Sequence, residues 1–196
     1  MGVSTGGPNA LQEVIPRLPK NLQVPVLLVQ HMPPLFTKLL AERLNAHSQI
    51  PVLEAVEGQD ILPGHIYIAP GGFHMEAKRV IGRTFITLHE GPLENNCRPA
   101  VDVLFRSVAR IYRRDALAVI LTGMGQDGLI GCQHIKEAGG TVIAQERPGC
   151  AVWGMPGAVV DAGLASSVLS LEGIAKEITL CIPGRGAAAL PSEPRV

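Results

Sequence analysis

No excess of either charge marks this sequence. Seventeen Lys and Arg residues face seventeen Asp and Glu, so neither a nucleic acid nor a strongly charged membrane is indicated as a bulk partner, and electrostatic recognition has to be local. Cysteine is sparse as well. Cys97, Cys132, Cys150 and Cys181 stand at no metal-ligand spacing and in no small secreted framework, so they read as reduced thiols and point to the cytoplasm. No apolar run approaches the ~18 residues of a membrane helix. The first residues lack the charged and apolar regions of a signal peptide, and no membrane insertion is expected. Internal repeats are missing too. No His, Asp or Glu pair stands at ligand spacing on one helix, which argues against a metal enzyme; neither a metal nor a cofactor is expected.

What is present is ordinary globular composition, 46% hydrophobic and 17% charged over 196 residues, with room for one sizeable domain. That domain is placed at residues 1–183. Residues 184–196 are small, polar and proline-punctuated, and are expected to be a disordered tail. Leu11, Val14, Ile15 and Leu18 recur at helical spacing after Pro8, and Pro16 marks the end of that helix. Val24 to Val29 is an apolar run of strand length, covered on both faces. Leu35, Phe36, Leu39, Leu40 and Leu44 line one face of a second helix, and residues 51–56 form another strand. This alternation predicts an α/β fold, a doubly wound, mostly parallel sheet. Between residues 60 and 90 the Gly and Pro punctuation, with the short stretches 65–69 and 84–88, predicts inserted antiparallel hairpins. Helices are expected at 99–114, 129–138, 156–162 and around 171–178, and strands at 116–121 and 141–145.

The chain is organised around Gly2-Val3-Ser4-Thr5-Gly6-Gly7-Pro8, a strand-to-helix turn in which a hydroxyl stands between glycines and a proline opens a helix. Two readings are open at this point, a nucleophile elbow and a phosphate cradle. Only three residues precede Ser4, so residues upstream of Met1 are expected to supply most of the first strand, and an upstream domain is left open. In an open α/β sheet, ligands bind beyond the carboxyl ends of the strands, where strand order reverses. Ser4, His31 and Asp127 all follow strands and so converge on one crevice. A serine hydroxyl needs an imidazole to accept its proton, and the imidazole needs a carboxylate to fix its tautomer. Singly, each has a structural alternative: Ser4 and Asp127 as helix caps, His31 as a structural histidine. The order Ser, His, Asp departs from the Ser, acid, His order of α/β-hydrolases. A nucleotide-binding module is the rival, but neither glycine turn ends in Lys-Ser/Thr, the first lacks Gly-x-Gly-x-x-Gly, and no acid ends the second strand.

Three stretches together, residues 2–8, Gln30-His31-Met32-Pro33-Pro34 and Leu121-Thr122-Gly123-Met124-Gly125-Gln126-Asp127-Gly128, resemble the catalytic domain of chemotaxis response-regulator protein-glutamate methylesterases. Residues 62–70, 98–105 and 153–156 extend the likeness, in matching order, from residue 2 to about 182. The resemblance implies a catalytic triad at Ser4, His31 and Asp127, hydrolysis of γ-glutamyl methyl esters on the cytoplasmic helices of chemoreceptors, and deamidation of receptor glutamines in many members. It further implies an upstream receiver domain and a cytoplasmic enzyme. The backbone amides of Thr5 and Met124 are the oxyanion-hole candidates, since each lies in a glycine-bearing turn. Arg106, Arg110 and Arg113 form a basic helix face suited to docking an acidic receptor helix, or simply a solvated face. Met32, Met124 and Met155 either line the crevice or pack.

Overall fold

The structure, a computed structural model, describes residues 1–180; the expected tail at 184–196, the last residues of the 1–183 domain and Cys181 lie outside the described residues. The elements are strands β1 (Gly2–Val3), β2 (Val26–Gln30), β3 (Val52–Glu54), β4 (Ile66–Ile68), β5 (His74–Val80), β6 (Arg83–His89), β7 (Leu117–Ile120), β8 (Thr141–Gln145) and β9 (Ser167–Leu169) and helices α1 (Gly7–Val14), α2 (Phe36–Asn45), α3 (Val101–Tyr112), α4 (Leu129–Glu137), α5 (Met155–Asp161) and α6 (Leu171–Leu180), alternating except where β3 to β6 follow one another. Seven strands form one sheet in the order β3-β4-β2-β1-β7-β8-β9, and every pairing in it is parallel. No described helix is long and apolar enough to cross a membrane.

The two faces of the sheet each bury a core, and side-chain alternation along β2 shows why its run of apolar residues is uninterrupted. Val26 and Leu28 point to a core shared with Leu11 and Val14 of α1, Leu40 and Leu44 of α2, and Ile174 and Ile178 of α6. Leu27 and Val29 point to the other, with Leu104 and Phe105 of α3, Ile135 of α4, Val159 of α5, and Met75 and Ile86 of the hairpin. Helix α1 opens at Gly7-Pro8 behind Gly6, whose φ of 81° only glycine takes at little cost, and it tightens into a 3-10 turn over Ile15–Arg17 around Pro16.

Three expectations need correction. Residues 65–69 do not belong to a hairpin: Ile66–Ile68 pairs in parallel with both β2 and β3, inside the main sheet. The one antiparallel hairpin among the described residues joins β5 to β6; β5 escapes a sequence reading because Lys78, Arg79 and Val80 of its second half are exposed. Leu35, Phe36 and Leu39 do not share a buried face with Leu40 and Leu44. The buried stripe of α2 is Thr37, Leu40, Ala41 and Leu44, at 3- and 4-residue spacing, and the other three are 78%, 57% and 58% exposed.

Strand order reverses at β1, which stands between β2 and β7. From there the chain winds outward in both directions. The carboxyl ends of these three central strands define the crevice where such sheets bind ligands.

Candidate active site

Ser4 leaves the end of β1 and is fixed through its backbone: its N–H donates to Thr122 O at 3.0 Å, and its carbonyl accepts from Gly7 N–H at 2.8 Å and from Gln30 Nε2 at 3.0 Å. The register Val3↔Gln30 sets Ser4 beside His31, whose N–H donates to Val3 O at 3.1 Å. The turn after β7 runs against the same residue. A Cβ on Gly123 would stand 2.8 Å from Ser4 Cβ and closer still to Met155 Sδ, so only glycine passes there. Thr122 Oγ1 donates to Thr5 O at 2.9 Å, tying the two glycine turns together. Among the described residues the N–H groups of Thr5 and Met124 and the Ser4 hydroxyl make no hydrogen bond, which leaves all three available to a ligand.

His31 Nε2 lies 2.7 Å from Asp127 Oδ2. An ionised carboxylate only accepts, so Nε2 carries the proton of this bond. Asp127 is 2% exposed, and its oxygens are saturated: Oδ2 also accepts from Val101 N–H at 2.6 Å, while Oδ1 accepts from Asp102 N–H at 3.1 Å and from Asn95 Nδ2 at 2.9 Å. Val101 and Asp102 begin α3, so the carboxylate sits on that helix's N-terminus, where free amides and the helix dipole favour an anion. It does not cap its own helix; α4 starts behind Gly128, with φ of 95° and no side-chain cap.

Burial pushes the Asp127 carboxyl up, but the bonds from His31, Val101 and Asp102 outweigh it and hold the group below the ordinary carboxylate value. Burial likewise pushes His31 down, and the bonds to Asp127 and Cys97 overcome this, raising it to about 9. The arrangement therefore stabilises a charged imidazolium, the species a general base becomes after it takes a proton. Asp102, directly behind, accepts from Gly131 N–H at 2.6 Å and from Asn95 Nδ2 at 2.9 Å; burial raises its carboxyl.

The structure thus brings Ser4, His31, Asp127, Thr5 and Met124 to one crevice. The basic stripe of α3 is not part of that group. Both terminal nitrogens of Arg106 grip the Glu94 carboxylate, Arg110 pairs with Glu76 at 2.9 Å, and Arg113 is exposed in a 3-10 turn after α3. Met155 is fully buried against Gly123 and Met124 is 75% exposed at the rim, while Met32 packs on the core. Sequence reasoning missed Asn95, Cys97 and Asp102. The Asn95-Asn96 pair, residue types that tolerate a left-handed turn, was the available signal. A cavity of about 380 Å³ lies elsewhere, lined by Val26, Leu104, Tyr112 and Leu117 at the amino ends of β2 and β7; with its mainly apolar walls it lacks the groups this chemistry needs.

A family model described as CheB methylesterase matches residues 1–178. The chain is 51% identical over 178 residues to a protein-glutamate methylesterase/protein-glutamine glutaminase of Trichodesmium erythraeum, covering 91% of this chain and 51% of that protein. It is 49% identical to the protein of the same description from Thermotoga maritima, covering 86% of this chain and 49% of that one. The crystal structure of the Thermotoga maritima CheB methylesterase catalytic domain matches with a TM-score of 0.91 at 46% identity, over 92% of this chain and 96% of that one. The chain spans about half the length of the curated relatives it matches.

Proposed function

The chain belongs to the CheB methylesterase family, and from that premise we propose that it is a serine hydrolase of γ-glutamyl methyl esters on chemoreceptors, with Ser4 as nucleophile, His31 as general base and Asp127 as the carboxylate that orients the ring. The observation that carries the reading is the 2.7 Å bond between His31 Nε2 and Asp127, placed beside Ser4 at the point where strand order reverses. Because Nε2 is committed to the carboxylate, the proton of Ser4 passes to Nδ1. The Ser4 oxygen bonds to the ester carbonyl carbon, and the developing oxyanion is met by the free amides of Thr5 and Met124. His31 then returns its proton to the departing methoxide, giving methanol and a glutamyl-serine ester. Water, deprotonated by His31, cleaves that ester to glutamate and restores Ser4. A receptor glutamine runs the same course with ammonia leaving, which is the second activity carried in the names of the relatives.

The partners follow from the same reading: the cytoplasmic helices of methyl-accepting receptors as substrate, a cytoplasmic location, and a receiver domain in the part of the relatives that this chain does not span. Docking of an acidic receptor helix on Arg110 and Arg113 has to displace Glu76 from Arg110. Reversal of both charges is expected to raise KM for methylated receptor and leave hydrolysis of a small ester untouched; an unaltered KM removes this face from the docking surface.

The deciding experiment is Ser4→Ala. Methanol release from methylated receptor is expected to fall at least ~10⁴-fold with thermal stability nearly unchanged, and a fluorophosphonate probe is expected to label the parent chain at Ser4 and not the variant. Substantial turnover by the folded variant rejects the nucleophile.

A further inference from the structure

The nitrogen of His31 that Ser4 needs is already engaged. Cys97 Sγ lies 3.6 Å from His31 Nδ1, a distance within reach of a weak thiol hydrogen bond, while the Ser4 hydroxyl bonds to nothing among the described residues. In the protonated ring both nitrogens are donors, so Nε2–H is given to Asp127 and Nδ1–H to the Cys97 sulfur, a weak acceptor.

The thiol is carried there by a turn held on every side. Glu94 and Cys97 exchange backbone hydrogen bonds of 3.1 and 2.9 Å, and the two residues between them, Asn95 and Asn96, take φ of 51° and 58°. That conformation is costly for any residue with a Cβ and least so for Asn or Asp, and it persists where surrounding contacts enforce it. Here Arg106 grips Glu94 with two nitrogens, and Asn95 donates to both Asp127 and Asp102. One turn thus touches both members of the imidazole–carboxylate pair, Asn95 at the carboxylate and Cys97 at the ring.

We propose that Cys97 is a positioning residue for the esterase reaction: its thiol holds the His31 ring by Nδ1 in the resting enzyme, in competition with Ser4, and so restrains the base. The proposal rests on the reading of Ser4 and His31 given above. The groups facing the ring are Asp127 and Cys97, with Asp102 and Glu94 behind them, the former bonded to Gly131 and Asn95, the latter paired with Arg106. Against burial, Asp127 and Cys97 both favour the protonated ring, in which Nδ1 cannot accept a proton from serine. Removing the thiol therefore frees Nδ1 and takes away one of the two groups that keep it protonated.

Cys97→Ala and Cys97→Ser in the whole chain test this by two readouts, the pH profile of kcat/KM for a small activated ester such as p-nitrophenyl acetate and an NMR titration of the His31 ring. Cys97→Ala is expected to move both midpoints down by about one pH unit, which below the midpoint raises the acylation rate up to about tenfold. Cys97→Ser, whose hydroxyl can accept from Nδ1–H in the same place, is expected to fall between Cys97→Ala and the parent, and serves alone should the alanine variant not fold. Midpoints equal to the parent's in the folded variants overturn the proposal, as does a uniform loss of rate with no change in the titration. The NMR titration reads the ring whether or not Ser4 is the nucleophile, so a failure of the Ser4 assignment shows in Ser4→Ala and leaves this result to stand or fall separately.

Discussion

Asp127 ties three parts of the fold to the imidazole proposed as the base. Its four donors come from β2's end, from the first turn of α3 and from the Asn95 turn, so an amide at this position places an NH₂ group against an N–H. Asp127→Asn is expected to cut kcat by about 10⁴, as loss of the orienting carboxylate does in other serine hydrolases, and to lower stability by about 1–3 kcal/mol because buried donors at the start of α3 lose a partner; kinetics and denaturant titration of one preparation check both. Gly123→Ala probes the other side of the crevice. A Cβ there has to push Ser4 or Met155 aside, and a displacement of even part of an ångström from attack geometry costs up to about a hundredfold in rate, so fluorophosphonate labelling is expected to slow far more than melting temperature falls. Ser4, His31 and Asp127 were legible from sequence because each follows a strand end, where local pattern announces the position. Cys97, Asn95 and Asp102 were not, since their roles depend on a loop and a helix start meeting partners 29 to 66 residues away.

Among the elements, the start of α3 has the largest share in the site. Its first two amides bind Asp127, its Asp102 ties it to α4 through Gly131, and one turn further on its Arg106 clamps the turn that carries Asn95 and Cys97. Arg106 thus has a structural task that its place in a basic stripe conceals. Arg106→Ala is expected to lower kcat roughly ten- to a hundredfold through the loosened turn while leaving KM for receptor unchanged; a raised KM with unchanged kcat assigns it to docking instead. Strand β4 was read as part of a hairpin because Pro63-Gly64 and Pro70-Gly71-Gly72 bracket a stretch too short to announce a direction, and parallel pairing is settled only by neighbours. The edge strand β9, three residues with one exposed side chain, carries no periodicity at all. The long buried strands β2 and β8 and the amphipathic α3 were evident because burial on both faces, or on one stripe, writes itself into many residues.

At the level of the whole molecule, topology brings residues 123 positions apart to one place: with β1 between β2 and β7, the turns after all three strands have to open on a common crevice. The imidazole–carboxylate pair assembled there sets activity and stability against one another as pH rises. His31 is raised from 6.5 to about 9, so the folded chain binds this proton more tightly than the unfolded one; the stabilisation is fully present below pH 6.5 and is lost as pH climbs through 9. It amounts to roughly 3 kcal/mol for a ring so little exposed. Asp127 works in the opposite sense: held below its ordinary value, it contributes stability above that value, lost as pH falls through the folded one. Between these limits the pair is ionic and the protein most stable, yet the ring is protonated and unable to accept the Ser4 proton. Esterase activity is therefore expected to rise with pH toward a plateau above about 9, over the same interval in which the melting temperature drops by several degrees. His31→Ala removes the raised group and is expected to flatten the alkaline limb of the melting curve. Parallel melting profiles for parent and variant from pH 6 to 10 show instead that the ring is neutral throughout, and then the activity profile has to flatten with them.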